Sequence, residues 1–401
     1  MGLKRLSTAF AALLLLSAGT ALGAEISGRS STQFLWYNDD FTQDRVYEAA
    51  QYLKLNVTKV DKDDKLSFFF YGRGAQTFTH PQDATGRVYY LYADYHATDK
   101  ADLRLGRQFA SNAAGSVLID GLKVDLKNVS HVEMSAFIGR DVVFGQNGEL
   151  GNTWNTDLGL SAYLTGFRNT DAEISWLRKW DQSEVARDIL GGSFKQNLLN
   201  SVKLYGNTKY DLFSESFIES LIGTKIYPTS NLVFTTEYFA SYPIFDATSI
   251  YSAFAVDKYQ EALARADYII SDMLSVNIGY NHQWFDGATA DVYHVGAGIS
   301  PIKHLKLNLE FDNQTGYYGS TKGWMADVDY EINKEAQIAG GITYDVYQRD
   351  ATTHDEIARR YWLGGKYKLA KNMALSGRIQ NDVNVNYSEN VSGRLVFDYD
   401  F

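Results

Sequence analysis

The sequence predicts an all-β fold, a transmembrane antiparallel up-and-down β-barrel of about 22 strands, roughly between 20 and 24, without a plug domain. Three observations carry that expectation. Apolar and polar residues alternate along the chain as far as Phe401, with no break that would mark a second domain. The alternating segments run to about 10 to 13 residues, the length a tilted strand needs to cross a bilayer, whereas strands of soluble sheets usually run to about 5 or 6. Aromatic residues crowd the segment ends, as rings at a membrane–water boundary do. Alternation alone fits a soluble sandwich with its charged face outward. Strand length and the aromatic ends decide for the barrel.

Residues 1–23 read as a secretory signal: Lys4 and Arg5 give a positive start, 11–18 an apolar stretch, and Ala21-Leu22-Gly23-Ala24 a small-residue cleavage region. That apolar stretch is far shorter than the ~20 residues of a spanning helix, and no later one approaches it. The barrel is then expected over 24–401. The leader holds two of the 38 basic residues and none of the 48 acidic ones, so removing it takes the formal charge from −10 to −12. Such acidity argues against nucleic acid as a partner. The chain has no cysteine, which excludes a disulfide scaffold, thiolate metal sites, covalent c-type haem and a cysteine nucleophile. It is rich in Tyr (28) and Phe (22), yet its mean hydropathy is −0.28. Apolar and polar faces alternating on strands produce that combination.

Tight polar turns are expected at 61–65, 98–102, 127–130, 169–171, 198–201, 228–231, 271–272, 301–304, 333–335 and 370–372. Ten such turns with both termini in the periplasm make the strand count even, at about 22. The longest intervals, 141–155 and 241–258, are expected to be outer loops folding over or into the lumen. Leu305, Leu307, Leu309 and Phe311 oppose Lys306, Asn308, Glu310 and Asp312, and Val391, Leu395, Phe397 and Tyr399 oppose Ser392, Arg394, Asp398 and Asp400. Backbone polar groups in hydrocarbon must all be paired, so 26–36 should close on 392–401.

The ending Val396-Phe397-Asp398-Tyr399-Asp400-Phe401 resembles the terminal signature of Gram-negative outer-membrane barrels. Leu103-Arg104-Leu105-Gly106-Arg107-Gln108, followed by Asp120-Gly121-Leu122, is similar to a strand-loop-strand unit of porin-like channels, including those of the alginate-export type. The resemblance implies an outer-membrane channel for small hydrophilic solutes or ions, with outer-membrane lipid around it and the barrel-assembly machinery reading Phe401. The chain also resembles the porin-like component of porin–cytochrome conduits. That likeness implies a sheath around a multihaem cytochrome, whose haem would belong to the partner because this chain has no Cys to bind it. No cofactor of its own is expected.

The inferred inner face carries both signs of charge. The candidate pore-lining residues are Arg104, Lys123, Asp125, Arg265, Asp267, Arg360, Lys366, Arg378 and Arg394. Other basic residues of that parity are Lys54, Lys203 and Lys306, and acidic ones include Asp94, Glu133, Glu173, Glu237, Glu310, Asp327, Asp329 and Asp345. Together they could set a transverse field that sorts ions, or form a solvated wall of offsetting charges. Arg359-Arg360 and Arg104 with Arg107 are the densest basic points and suit oxyanions, although Arg107 and Arg359 share the parity of the outer leucines. The seven His residues fall in no catalytic motif, so an outer-membrane enzyme would have to assemble its site across strands. Trp36, Tyr37, Trp176, Trp180, Trp284, Tyr317, Tyr318 and Trp324 read as interfacial girdle. A sugar track is the competing reading for aromatics, and it needs rings at inner parity in register on adjacent strands; Tyr52, Tyr90, Tyr92 and Trp362 have that parity.

Overall fold

The computed structural model describes residues 23–39, 42, 44–79, 84–129, 131–144, 155–242, 258–317, 319–348, 354–386 and 388–401. The first half of the chain forms β1 (Glu25–Asn38), β2 (Arg45–Thr58), β3 (Leu66–Thr77), β4 (Ala84–Thr98), β5 (Ala101–Asn112), β6 (Gly115–Val129), β7 (Val132–Asp141), β8 (Thr156–Phe167), β9 (Thr170–Asp181), β10 (Glu184–Leu199) and β11 (Val202–Asp211). The second half forms β12 (Ser216–Thr229), β13 (Leu232–Ser241), β14 (Tyr259–Ser271), β15 (Leu274–Phe285), β16 (Ala288–Ile302), β17 (Leu305–Gly316), β18 (Gly319–Glu331), β19 (Ala336–Gln348), β20 (Glu356–Ala370), β21 (Met373–Val383) and β22 (Asn390–Asp400). Every strand pairs antiparallel with the next, and β1 pairs with β22, so the sheet of 22 strands closes on itself. Each of the ten tight turns expected from the sequence joins two consecutive strands. The leader, except Gly23, and most of the two long intervals (145–154 and 243–257) lie outside the described residues.

Closure rests on eight residue pairs, from Arg29↔Asp400 to Trp36↔Gly393. Gly28 N donates to Phe401 O at 2.9 Å and Phe401 N to Gly28 O at 3.1 Å, which extends the ladder. A Cβ on Gly28 would lie 2.2 Å from Lys54 O and 2.8 Å from the Phe401 ring, so only glycine lets the last ring cross the seam. Arg29 adds a two-point bond to Asp400 at 2.6 and 3.1 Å.

Register fixes which side chains share a face, because residues directly opposite on antiparallel strands point the same way. Starting at Leu307, the pairs run through Val328, Gly340, Leu363, Ile379, Gly393 and Trp36. Large apolar side chains of this face stand bare, among them Leu309, Leu363, Ile379 and Leu395 at 47 to 54% exposure. Such a surface suits hydrocarbon and not water. The opposite face, which closure turns inward, carries the ion pairs described below.

The β2–β3 turn shows how a short polar link is held. Asp61 Oδ1 accepts from the main-chain N–H of Leu66 at 2.8 Å and of Lys65 at 2.7 Å, and these bonds hold its carboxyl below the usual carboxylate range. A depressed native value means that the turn's contribution is present above the unfolded value near 3.8 and is lost as pH falls through the native one. At pH 7 the Asp61→Ala barrel should therefore unfold at lower urea than the parent, and well below pH 3.8 the two midpoints should converge. Equal midpoints at pH 7 would show that the cap does not stabilise the turn.

Candidate pore interior

The inner face is not an open tube. β4 pairs with β5 only up to Leu91↔Arg107, and β6 pairs with β7 only up to Ile119↔Asp141, while β5 and β6 stay paired to their tip at Asn112↔Gly115. Above those points the β5–β6 hairpin leaves the wall. The bend sits where Gly106 faces Gly121. Gly106 has φ +127°, and a Cβ on Gly121 would lie 2.1 Å from Ile138 O, so neither position accepts a side chain without distortion.

The tip lies against the inner face of β9 and β10. Ala113 N donates to the Glu173 carboxylate at 2.5 Å, and Ala114 N to Ser175 Oγ at 2.8 Å. Asn112 Oδ1 accepts from Ala114 N at 3.0 Å and Gly115 N at 3.1 Å. Beneath the tip, Ala110, Ala114, Val117, Ile119, Phe137, Leu177 and Ile189 form a buried apolar cluster. Its strand members all have inner-face register, so this cluster is a core inside the barrel. Burying a Val, Ile or Leu is worth roughly 1.5–3 kcal/mol, against about 1 kcal/mol for a typical hydrogen bond. Burial therefore holds the hairpin in, and the tip bonds fix where it lands. The segment resembling porin-like channels, 103–108 with 120–122, is this bend. Where the hairpin departs, Arg107 spans the gap: it grips Asp120 through Nε and Nη2, each at 2.8 Å, and donates to Val88 O at 3.2 Å. The Phe144 ring sits 5.8 Å from the Arg87 guanidinium and 5.9 Å from that of Arg107.

The nine candidate residues all have inner-face register but fall into three groups. On β5 and β6, Arg104 bonds to Asp94 of β4 at 2.9 Å, and Lys123 to Asp125 at 2.8 Å. On β14, Arg265 is spent on Asp267 at 2.7 Å. On β20 to β22 the candidates come together. Arg360 bonds to Asp382 at 2.6 Å, while Arg378 lies directly opposite Arg394. Arg378 stacks over the Trp362 ring at 4.2 Å and donates to Gln380 at 2.9 Å. Arg394 and Lys366 have no hydrogen-bond or ion-pair partner among the described residues, and both are exposed. Next to these strands, β17 to β19 carry Glu310, Asp312, Asp327, Asp329 and Asp345 on the same face. His294 meets Asp312 at 2.5 Å, Asn308 donates to Asp327 at 2.9 Å and Gln337 to Asp329 at 2.6 Å. The inner face of β17 to β19 is thus mainly acidic, with Lys306 opposite Asp329, while that of β20 to β22 mixes Arg360, Lys366, Lys368, Arg378 and Arg394 with Glu356, Asp382, Asp398 and Asp400. Arg107 and Arg359 carry the parity of the outer leucines, Arg359 beside Tyr361 and Leu363. No cluster of metal-ligating residues occurs among those described.

A closed 22-stranded transmembrane barrel with a charged, partly filled interior is the class that these features define. No family model matches the chain, and no curated protein matches its sequence. Among solved structures it is similar to a BenF-like porin from Pseudomonas fluorescens, at 11% identity over 94% of this chain and 98% of that one, with a TM-score of 0.51. It is also similar to a mutant form of the ferric enterobactin receptor PfeA from Pseudomonas aeruginosa, at 10% identity over 94% of this chain and 81% of that one, with a TM-score of 0.62. At such identities the likeness is one of fold, and the fold is that of Gram-negative outer-membrane barrels.

Proposed function

We propose that this protein is an outer-membrane channel through which small hydrophilic solutes and ions diffuse, with oxyanions drawn to the wall of β20 to β22. The observation that carries this reading is that Lys366, Arg378 and Arg394 on the inner face have no carboxylate partner among the described residues, while the inner face of the neighbouring β17 to β19 is mainly acidic. Charges of opposite sign on neighbouring stretches of one water-filled wall set a transverse field, and a guanidinium offers oxyanions parallel N–H donors. Flow would be down a gradient, with no catalytic step. Export under the 1–23 leader and recognition of Phe401 by the assembly machinery belong to the same reading.

The test is single-channel conductance and reversal potential of the refolded barrel in a planar bilayer under a salt gradient. Discrete steps with a reversal potential on the anion side are expected. A demonstrably folded barrel that passes no current would overturn the channel, and haem absorbance co-purifying with the native barrel would replace it by the cytochrome sheath.

A further inference from the structure

We propose that the inner wall of β2 to β4 is a binding track for neutral saccharides, an inference that rests on the channel reading and names a solute class for it. Five aromatic side chains meet there in sequence. Tyr52 and Tyr71 have ring centroids 6.3 Å apart, Tyr71 and Tyr90 5.6 Å, Tyr90 and Tyr92 5.6 Å, and Tyr92 and Phe69 5.1 Å. The strand ladder sets this chain, since Tyr71 lies directly opposite Tyr90 and Phe69 opposite Tyr92. All five have inner-face register and are half-buried, each leaving part of its ring open. They stand at the middle of their strands, away from the ends where interfacial girdles form.

Fixed polar groups border the rings on both sides. On one, Arg73 is paired with Glu48 and donates from Nε to the Tyr52 hydroxyl at 2.9 Å. On the other, Arg104 is paired with Asp94 at 2.9 Å and covers the Tyr92 ring at 4.6 Å. Each pair is neutral as a unit yet presents N–H donors and carboxylate acceptors at fixed positions. A pyranose has the complementary form, with C–H groups on its ring faces and hydroxyls around its edge. A small anion would gain nothing from the ring faces, and a purely apolar solute nothing from the pairs. Because the rings follow one another without a gap, a chain of sugars could advance by exchanging one ring for the next.

The experiment adds maltohexaose, cellohexaose or xylohexaose to single channels of the full barrel in a planar bilayer. At least one of them should cause resolved, concentration-dependent interruptions of the current. In a Tyr71→Ala/Tyr92→Ala barrel their dwell time should fall about ten-fold while the open-channel current persists. Tyr71→Phe, which keeps the ring, and Trp362→Ala, on β20, should leave the dwell time unchanged. Conducting channels that none of the three sugars interrupts, or interruptions that the double variant does not shorten, would overturn the track and leave the channel standing. Absence of conductance from the folded parent would instead overturn the channel reading itself.

Discussion

A Gly191→Leu barrel should conduct about two-fold more current per channel than the parent, because the in-folded hairpin loses its seat. A Cβ at Gly191 would lie 2.1 Å from Ala114 N, 2.3 Å from Ala113 C and 2.5 Å from Ala114 Cα. Those are main-chain atoms at the tip of a tight turn, which cannot swing aside as the end of a side chain would. The leucine and the tip compete for one place, and moving the tip breaks the bonds from Ala113 to Glu173 and from Ala114 to Ser175. The neighbouring Gly192 provides the control. It has outer-face register, and a Cβ there has nothing nearer than 3.8 Å, so Gly192→Leu should fold and conduct like the parent. Unchanged current in Gly191→Leu would show that the hairpin does not set the width of the path.

Changing the opposed pair Arg378 and Arg394 to glutamine should move the reversal potential toward the cation side by about 20 mV in a ten-fold salt gradient, where perfect selectivity corresponds to ~59 mV. The pair is chosen because neither guanidinium is spent on a carboxylate among the described residues: Arg378 contacts Trp362 and Gln380, and Arg394 is exposed without a partner. Arg265, locked to Asp267 on its own strand, contributes a local dipole instead of a free charge, so Arg265→Gln uncovers a carboxylate and acts by a different route. The effect of the double variant should fade between about 0.1 M and 1 M salt, as the screening length drops from about 10 Å to about 3 Å. A shift that persists undiminished at the higher salt would mean that Arg378 and Arg394 act on pore shape and not through their field.

The frame was legible because a membrane wall imposes a strict period of two. Leu305 to Asp312 declares its faces residue by residue, Val391 to Asp400 does so except at Gly393 and Val396, and the turns between such segments count the strands. The hairpin was not legible, because a strand that bends inward keeps the same alternation as one that stays in the wall. The expectation of narrowing fell on the two longest intervals, whose central residues lie outside the described set, whereas among the described residues it is the β5–β6 hairpin that projects into the lumen. A signal was present: Ala110, Val117 and Ile119 are apolar at inner parity, beyond the facing glycines 106 and 121, where a water-lined wall would carry polar residues. The aromatic chain was half legible. Tyr52, Tyr90 and Tyr92 show their parity, but Phe69 and Tyr71 sit in the run Phe68-Phe69-Phe70-Tyr71, which is aromatic on both faces and yields its inner members only to register. Trp362, of the same parity, belongs to another wall and stacks with Arg378. Pairing of charges was beyond reach, since whether Arg360 finds Asp382 depends on neighbours brought in by the ladder.

The seam between β1 and β22 makes the first strand wait for the last. Arg29 and Asp400 are 371 residues apart, and until β22 exists the edge of β1 has no partner within the chain. A polypeptide cut short by stalled synthesis keeps two raw edges and stays open to proteases, whatever the quality of its earlier hairpins. Closure thus ties the protection of both sheet edges to the arrival of β22.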